Sequence, residues 1–497
     1  MKFSYTITKF GARCDLSEEL LSYVRKHLIL TPIIPGQQQQ QQQPPQEVVV
    51  YRKSKSYIYL PKFYVISKEH KNNFQLDLTI TTAKERKGQS LDSTLIKFQG
   101  ELKETQYNII QEVTQVLDTE DACVLSAKCG MGKTVMSLYI ISHLQKKTII
   151  LLDKTHLLHQ WKDRINCFLP NAKIGIIQQD NYEIENCDIV LCMMQTILSR
   201  KRTQKKDNRY FPKAFDSFGF MIIDECHHIC SQQFSQILFT IQTKKVLGLS
   251  ATPQRKDGLT IILTWFMNRI LSFEQKQKDI ETPQVCLLTF IHNEPLQVKY
   301  KRANLYTVKR ELNLPYLVTQ LATMENRNRF LVAKILENYK QGRKQLILSD
   351  RRQQCLILQD YLSNENNENN ENIKDDIGLY LGQMTREQLE QSNKKRIILA
   401  TYQMCAEAYD CKTLDTLVFA TPKSSIEQSV GRILRQKNTF TPLIIDCYDD
   451  FKTNETKQFE QIEQIEQIEQ IKDVSTYLRG QKYKRLRFYK QQNFKFI

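Results

Sequence analysis

Short unbroken apolar runs alternate with helical patterns along most of this chain. Between Phe98 and Phe273 the runs are "TIILLD", "CDIVLCM", "FGFMIID" and "KVLGLSA"; between Val285 and Cys447 they are "KQLILSD", "RIILAT", "DTLVFA" and "PLIIDC". A run without polar alternation suits a strand covered on both faces, as in a parallel sheet flanked by helices. The pattern predicts an α/β protein with two tandem doubly wound parallel-sheet domains, at residues 96–275 and 276–450. A small N-terminal accessory domain precedes them at 1–95, and a low-complexity repeat with a basic aromatic tail follows at 451–497. Within the N-terminal piece, "KSYIYLPKFYV" predicts a strand, a turn and a second strand.

Three low-complexity segments interrupt this pattern. "PGQQQQQQQPPQ", Pro35 to Gln46, predicts a flexible, partly polyproline-like excursion. "SNENNENNEN", Ser363 to Asn372, predicts a polar loop too hydrophilic for a core. "EQIEQIEQIEQIK", Glu460 to Lys472, predicts a helix. Its isoleucines advance by about 300° per repeat at 3.6 residues per turn, so they spiral around the helix and form no coiled-coil seam.

Composition changes the picture through charge. A net charge of +17 and a pI near 9.1 point to an anionic partner, nucleic acid first and a membrane surface second. The 13 cysteines are scattered singly, which suits reduced thiols better than a disulfide framework. The opening "MKFSYTITKFGARCDL" lacks the apolar core of a signal peptide, and no unbroken apolar stretch approaches the ~18 residues of a membrane span. A soluble, non-secreted chain without a membrane partner is expected.

The first candidate chemistry is the loop "AKCGMGKT", Ala127 to Thr134, set between a buried strand ("DACVLSA") and a helix ("KTVMSLYIISHL"). Ala127, Lys128, Cys129, Gly130, Met131 and Gly132 form the expected cradle, whose backbone N–H groups face phosphate oxygens at a helix N-terminus. Lys133 is placed to reach the β- and γ-phosphates of ATP, and Thr134 to ligate Mg²⁺. Ala127 stands where the strict pattern has glycine. The second is "FGFMIIDECHH", an apolar strand that delivers Asp224 and Glu225 at its C-terminal end. An aspartate there binds the metal, and the adjacent glutamate orients and deprotonates the attacking water. Cys226, His227, His228 and Cys230 fit a zinc site poorly, because the cysteine spacing is loose and no second ligand pair follows; they read as residues opening a helix.

"AKCGMGKT", "DECH", "LSAT" and "QSVGRILR" occur in the order of motifs I, II, III and VI of superfamily 2 helicases, which this chain resembles from Leu102 to Arg435. "LKETQ" precedes the loop, and "LLHQWKDRI", "SATPQRKDG" and "ATYQMCAEAYD" follow it. The last two most resemble the transcript-release DNA helicases of poxviruses and their phage and repair-factor relatives. The resemblance implies tandem RecA-like domains. It also implies that Gln106 reads adenine, that His227, Ser250, Ala251, Thr252 and Asp410 couple nucleotide to strand, and that Gln428, Arg432 and Arg435 complete the hydrolytic set from the second domain. Three positions depart from the family: Lys154 replaces a proline, Ala408 a glycine, and Met193 a phosphate-contacting threonine.

The sequence thus predicts an ATP- and Mg²⁺-dependent motor that runs 3′-to-5′ on DNA and strips transcripts from viral templates beside the transcription machinery, or takes part in genome processing. Its expected place is the viral factory in the host cytoplasm, or the virion. An RNA helicase, one acting on a DNA–RNA hybrid, and a non-hydrolysing nucleic-acid clamp are the alternatives. The tail "TYLRGQKYKRLRFYKQQNFKFI" has two readings, strand binding and docking on the second domain, with the first slightly favoured.

Overall fold

The structure is a computed structural model. It describes residues 2–8, 11–33, 46–66, 77–83, 88–128, 130–203, 214–241, 243–255, 257–273, 282–292, 297–300, 312–364, 373–408, 413–424, 426–433, 440–451 and 462–497. The poly-glutamine run up to Pro45 lies outside these residues, as do residues 365–372 of the asparagine-rich loop and 204–209 of the basic insert "SRKRTQKKDNR". The chain forms two compact units, Met1–Gln275 and Lys276–Ile497.

The first unit opens with β1 (Lys2–Thr8), β2 (Gly11–Asp15), β3 (Ile29–Leu30), β4 (Val48–Val49), β5 (Arg52–Lys53), β6 (Tyr57–Leu60) and β7 (Asp77–Ala83). Five of them make a sheet in the order β5-β6-β2-β1-β7. Helix α1 (Glu18–His27) carries Ser17 as its cap, accepting from the Leu20 N–H at 3.1 Å. Glu18 and Glu19 sit in its first turn and Arg25, Lys26 and His27 in its last, each sign matching the helix dipole. The second half of "KSYIYLPKFYV" is a helix, α2 (Lys62–Ile66), where a strand was expected. Pro61 cannot extend the ladder of β6. Phe63, Tyr64 and Val65 are consecutive and all buried, which a half-covered strand does not permit. Tyr64 meets Trp265 edge-on at 5.2 Å, and the N-terminal sheet shares one hydrophobic core with the sheet that follows.

That sheet contains β8 (Ala122–Ala127), β9 (Thr148–Leu152), β10 (Ile174–Gln178), β11 (Asn181–Tyr182), β12 (Ile189–Met193), β13 (Phe220–Ile223), β14 (Lys245–Ser250) and β15 (Ile270–Phe273), in the order β11-β10-β12-β9-β13-β14-β8-β15. Apart from β11, the pairs are parallel. Every residue of β8, β9, β12 and β13 is buried, as their unbroken apolar runs require. Three helices matter to the site: α3 (Glu104–Glu120), α4 (Lys133–Leu144) and α5 (Thr155–Phe168). Neighbours β9, β13, β14 and β8 place their C-terminal ends side by side, where ligands bind in doubly wound sheets.

The second unit has β16 (Gln284–His292), β17 (Gln345–Ser349), β18 (Ile377–Tyr380), β19 (Ile397–Thr401), β20 (Thr416–Phe419), β21 (Leu443–Phe451) and β22 (Lys495–Phe496), all parallel, in the order β18-β19-β17-β20-β21-β16-β22. Its helices include α6 (Glu325–Lys340), α7 (Glu427–Ile433) and α8 (Ile462–Gln491). The isoleucine repeat is thus helical from Ile462, and the tail after it completes the sheet through β22. Arg327 of α6 is wholly buried. It donates to Asp449 Oδ1 at 2.6 Å and Oδ2 at 3.0 Å, and to the Ala420 carbonyl at 2.7 Å. His292 lies 2.9 Å from the same carboxylate. Burial alone would raise the Asp449 pKa; the Arg327 charge and the His292 hydrogen bond outweigh it and hold the carboxyl at about 2.

Removing one partner leaves the other charge buried and unpaired, a loss of about 3–5 kcal/mol. Arg327→Ala is therefore expected to unfold at clearly lower urea concentration than wild type, and an unchanged midpoint would show that this pair does not tie α6 to the sheet.

Candidate nucleotide site

β8 runs directly into the loop and the loop into α4. Gly130 and Gly132 hold φ of 88° and 83°, the left-handed region, and Gly132 is the residue capping α4. The positive φ selects glycine at Gly132, and a Cβ there would also displace the Gln106 amide. Ala127 has no such demand: it closes β8 with its methyl buried, and only its carbonyl faces the loop. Lys133 Nζ donates to that carbonyl at 2.8 Å, bridging the two ends of the loop. Cys129 lies outside the described residues; Lys128, Met131 and Thr134 fall on the loop and the first turn of α4.

Gln106 faces the loop from α3. Its Oε1 accepts from the Lys103 N–H at 3.0 Å, and its Nε2 donates to the Met131 carbonyl at 2.9 Å. Both ends of the amide are engaged, so the side chain fixes the loop's crest to α3.

β13 delivers Asp224 and Glu225 as the sequence predicts. Asp224 is buried. Its Oδ2 accepts from Trp161 Nε1 at 2.8 Å, and its Oδ1 from the Glu225 N–H at 3.0 Å. Trp161 is itself 1% exposed, on the inner face of α5. Burial, and then the charge of Glu225, push the Asp224 carboxyl up to about 6, against the pull of Trp161 and Lys133. Glu225 goes the other way. Burial would raise it, but the His227 hydrogen bond and the positive charge of Lys133 hold it below the usual carboxylate range. Two adjacent carboxylates thus have their pKa values pushed apart, the arrangement that separates roles in hydrolytic centres. Asp153, at the end of neighbouring β9, is also buried and raised by burial, with His228 Nε2 3.4 Å away.

His227 connects this centre to the end of β14. Its Nδ1 is 3.2 Å from Glu225 Oε2 and 3.1 Å from Ser250 Oγ, which also accepts from the Thr252 N–H at 3.1 Å. Ala251 lies between, so His227, Ser250, Ala251 and Thr252 form one linked segment. Arg255 continues it, donating to the His227 carbonyl at 2.9 Å and pairing with Asp257. The Asp257 carbonyl accepts from the Ile33 N–H at 2.9 Å, which ties the N-terminal module to the same segment. Cys226 and Cys230 point into the core, and burial pushes both thiols up.

Of the remaining expected residues, Gln428 and Arg432 lie on α7 with side chains outside the described set, and Asp410 and Arg435 lie outside it altogether. Sequence reasoning assigned no role to Trp161 or Arg255. Both fall in stretches already noted for their resemblance, "LLHQW" and "SATPQR", but their partners are distant in sequence or backbone atoms.

Residues 99–255 match the family described as type III restriction enzyme, res subunit. A protein of Acanthamoeba polyphaga mimivirus, named as an ATP-dependent RNA helicase, is 30% identical over 448 residues, covering 89% of this chain and 81% of its own. The chain is a superfamily 2 helicase. African swine fever virus proteins, also named as ATP-dependent RNA helicases, share 25% identity over 362 residues, covering 67% of this chain and 68% of theirs. Among solved structures, T4 UvsW aligns over 100% of this helicase and 99% of its own chain at 15% identity, with a TM-score of 0.36. The helicase hydrolyses ATP, and no helix among the described residues is long and apolar enough to cross a membrane.

The Asp224 shift has a consequence for stability. Its folded pKa lies above its unfolded one, so its contribution favours folding at low pH and is lost as pH rises through about 6. Asparagine is uncharged at every pH, though its Nδ2 cannot accept and so gives up one of the two hydrogen bonds throughout. In ligand-free protein, the stability of Asp224→Asn relative to wild type should therefore rise by up to about 3 kcal/mol between pH 4 and pH 7. A difference independent of pH would show that Asp224 is not strained by its burial.

Proposed function

We propose that this helicase is a 3′-to-5′ translocase on DNA that releases transcripts in viral transcription, working in the cytoplasm of the infected cell. The observation that supports an active motor best is the contact of Glu225, beside buried Asp224, with His227 Nδ1, which also lies 3.1 Å from Ser250 Oγ, while the Lys133 charge acts on both carboxylates. In this reading Gly130, Gly132 and Lys133 bind the phosphates and Gln106 holds the loop to α3. Thr134 and Asp224 would hold Mg²⁺, which when bound neutralises charge on the β- and γ-phosphates. A hard-oxygen donor set of hydroxyl and carboxylate fits that ion.

Glu225, held ionised at neutral pH, accepts the proton of the attacking water. His227 touches both Glu225 and Ser250, so a change at the phosphates moves the end of β14. Gln428, Arg432 and Arg435 supply the second domain's share, which makes hydrolysis depend on both domains. The DNA preference rests on the resemblance of "SATPQRKDG" and "ATYQMCAEAYD" to the transcript-release group. The RNA reading is favoured by the names of the mimivirus and African swine fever virus relatives. ATP turnover titrated separately with single-stranded DNA, duplex DNA and RNA discriminates the two: the greatest stimulation by RNA would replace the first reading with the second.

Base and binding functions separate cleanly by substitution. Glu225→Gln should bind ATP near wild-type affinity while turnover falls by about 10²–10⁴-fold, whereas Lys133→Ala should weaken ATP binding itself. Wild-type hydrolysis by Glu225→Gln would remove Glu225 from the role of base.

A further inference from the structure

The C-terminal helix α8 has two differently equipped faces. One is docked on the second unit: Val474, Leu478, Arg485 and Tyr489 are buried. Arg485 donates to Asp446 Oδ2 at 2.8 Å and to the Lys423 carbonyl at 2.7 Å, and the Tyr489 hydroxyl donates to Asp446 Oδ2 at 3.0 Å. The docking reading of the tail therefore holds for this face.

The opposite face is built otherwise. At about 100° per residue, Arg479, Tyr483, Arg487 and Lys490 fall within about 40° of one line, along a stripe about 16 Å long. All four are exposed, Tyr483 at 69%, and Lys484 flanks them. Arg479 is steadied by the Tyr448 hydroxyl. Among the described residues Lys484, Arg487 and Lys490 have no carboxylate partner, and no acidic residue follows Asp473 in the chain. Solvation alone accounts for exposed cations. It does not account for an outward aromatic ring set at their centre, with the acids absent.

We propose that this outward stripe binds single-stranded nucleic acid, with Lys484, Arg487 and Lys490 on backbone phosphates and Tyr483 stacked on a base. The proposal rests on the nucleic-acid reading above and adds a contact site on the tail. A cationic row following the backbone, with an aromatic face among it, is the sequence-tolerant means of holding an unpaired strand. The helix thus divides the tail's basic residues: Arg485 is anchored inward, Lys482 lies 3.8 Å over the Tyr448 ring, and Arg479, Lys484, Arg487 and Lys490 are exposed.

The test uses the full chain and a labelled oligothymidylate titrated at several salt concentrations. The variant Tyr483→Ala/Arg487→Glu/Lys490→Glu should bind at least tenfold more weakly. Its slope of log affinity against log salt should flatten by about 1.4, two phosphate contacts at about 0.7 each. The melting temperature should not change, since the docked face is intact; should the triple variant melt early, Tyr483→Ala alone must still weaken binding fivefold or more. Arg487→Lys/Lys490→Arg should keep both affinity and slope. Wild-type affinity and slope in the triple variant would overturn the proposal, as would equal wild-type affinity for polyglutamate. ATP turnover that no nucleic acid stimulates would instead sink the functional reading itself, whereas stimulated wild type with an unaltered variant would sink the stripe alone.

Discussion

A buried carboxylate at the end of β13 is the constraint on which this site turns. In its proposed role Asp224 would have to be ionised to hold Mg²⁺, yet its position beneath α5 raises its pKa to about 6, and Glu225 beside it adds like charge. The indole N–H of Trp161 is the neutral donor that makes the charge tolerable there. It takes one oxygen, and the Glu225 N–H takes the other, so the carboxylate has one orientation. Glu225 gains in turn: its left-handed backbone (φ 44°) turns it away from Asp224 and toward His227, which with Lys133 keeps it ionised. The geometry of the pair follows from one tryptophan fixed in the core.

The sheet order brings the rest to that pair. Because β14 lies between β13 and β8, the end bearing Ser250 separates the carboxylates from the phosphate loop, and His227 reaches it from below. The N-terminal module is part of the same construction. It shares the core of the first sheet, and through Ile33 and Asp257 it steadies Arg255, which holds the His227 backbone. That module braces the His227–Ser250 segment from outside the family's motifs.

The strands were legible because burial on both faces leaves an unbroken apolar run, and all eight quoted runs are strands of the two sheets. Gly130 and Gly132 were legible because positive φ selects glycine; Ala127 fits where the strict pattern has glycine because β8 ends there without positive φ. α2 was misread since a short apolar segment carries no period that separates helix from strand. Trp161 and Arg327 were illegible in role. Their partners lie 63 and 122 residues away, and a local pattern shows only that each is buried or helical. The tail's docking was legible only as the second of two readings, because its docked face sets Arg485 and Tyr489 against Asp446 beside the apolar Val474 and Leu478, and the partner Asp446 lies far from them in sequence.

ATP turnover by Trp161→Phe tests the central claim most directly. Phenylalanine removes the N–H, a hydrogen bond to a charged group that contributes about 1.5–3 kcal/mol, together with part of the indole's buried volume, so the variant melts earlier. If that bond sets Asp224, kcat measured below the melting transition falls by about 10–100-fold while the KM for ATP stays near wild type. A variant that turns over at the wild-type rate, or one that merely melts earlier with kcat intact, would contradict the account.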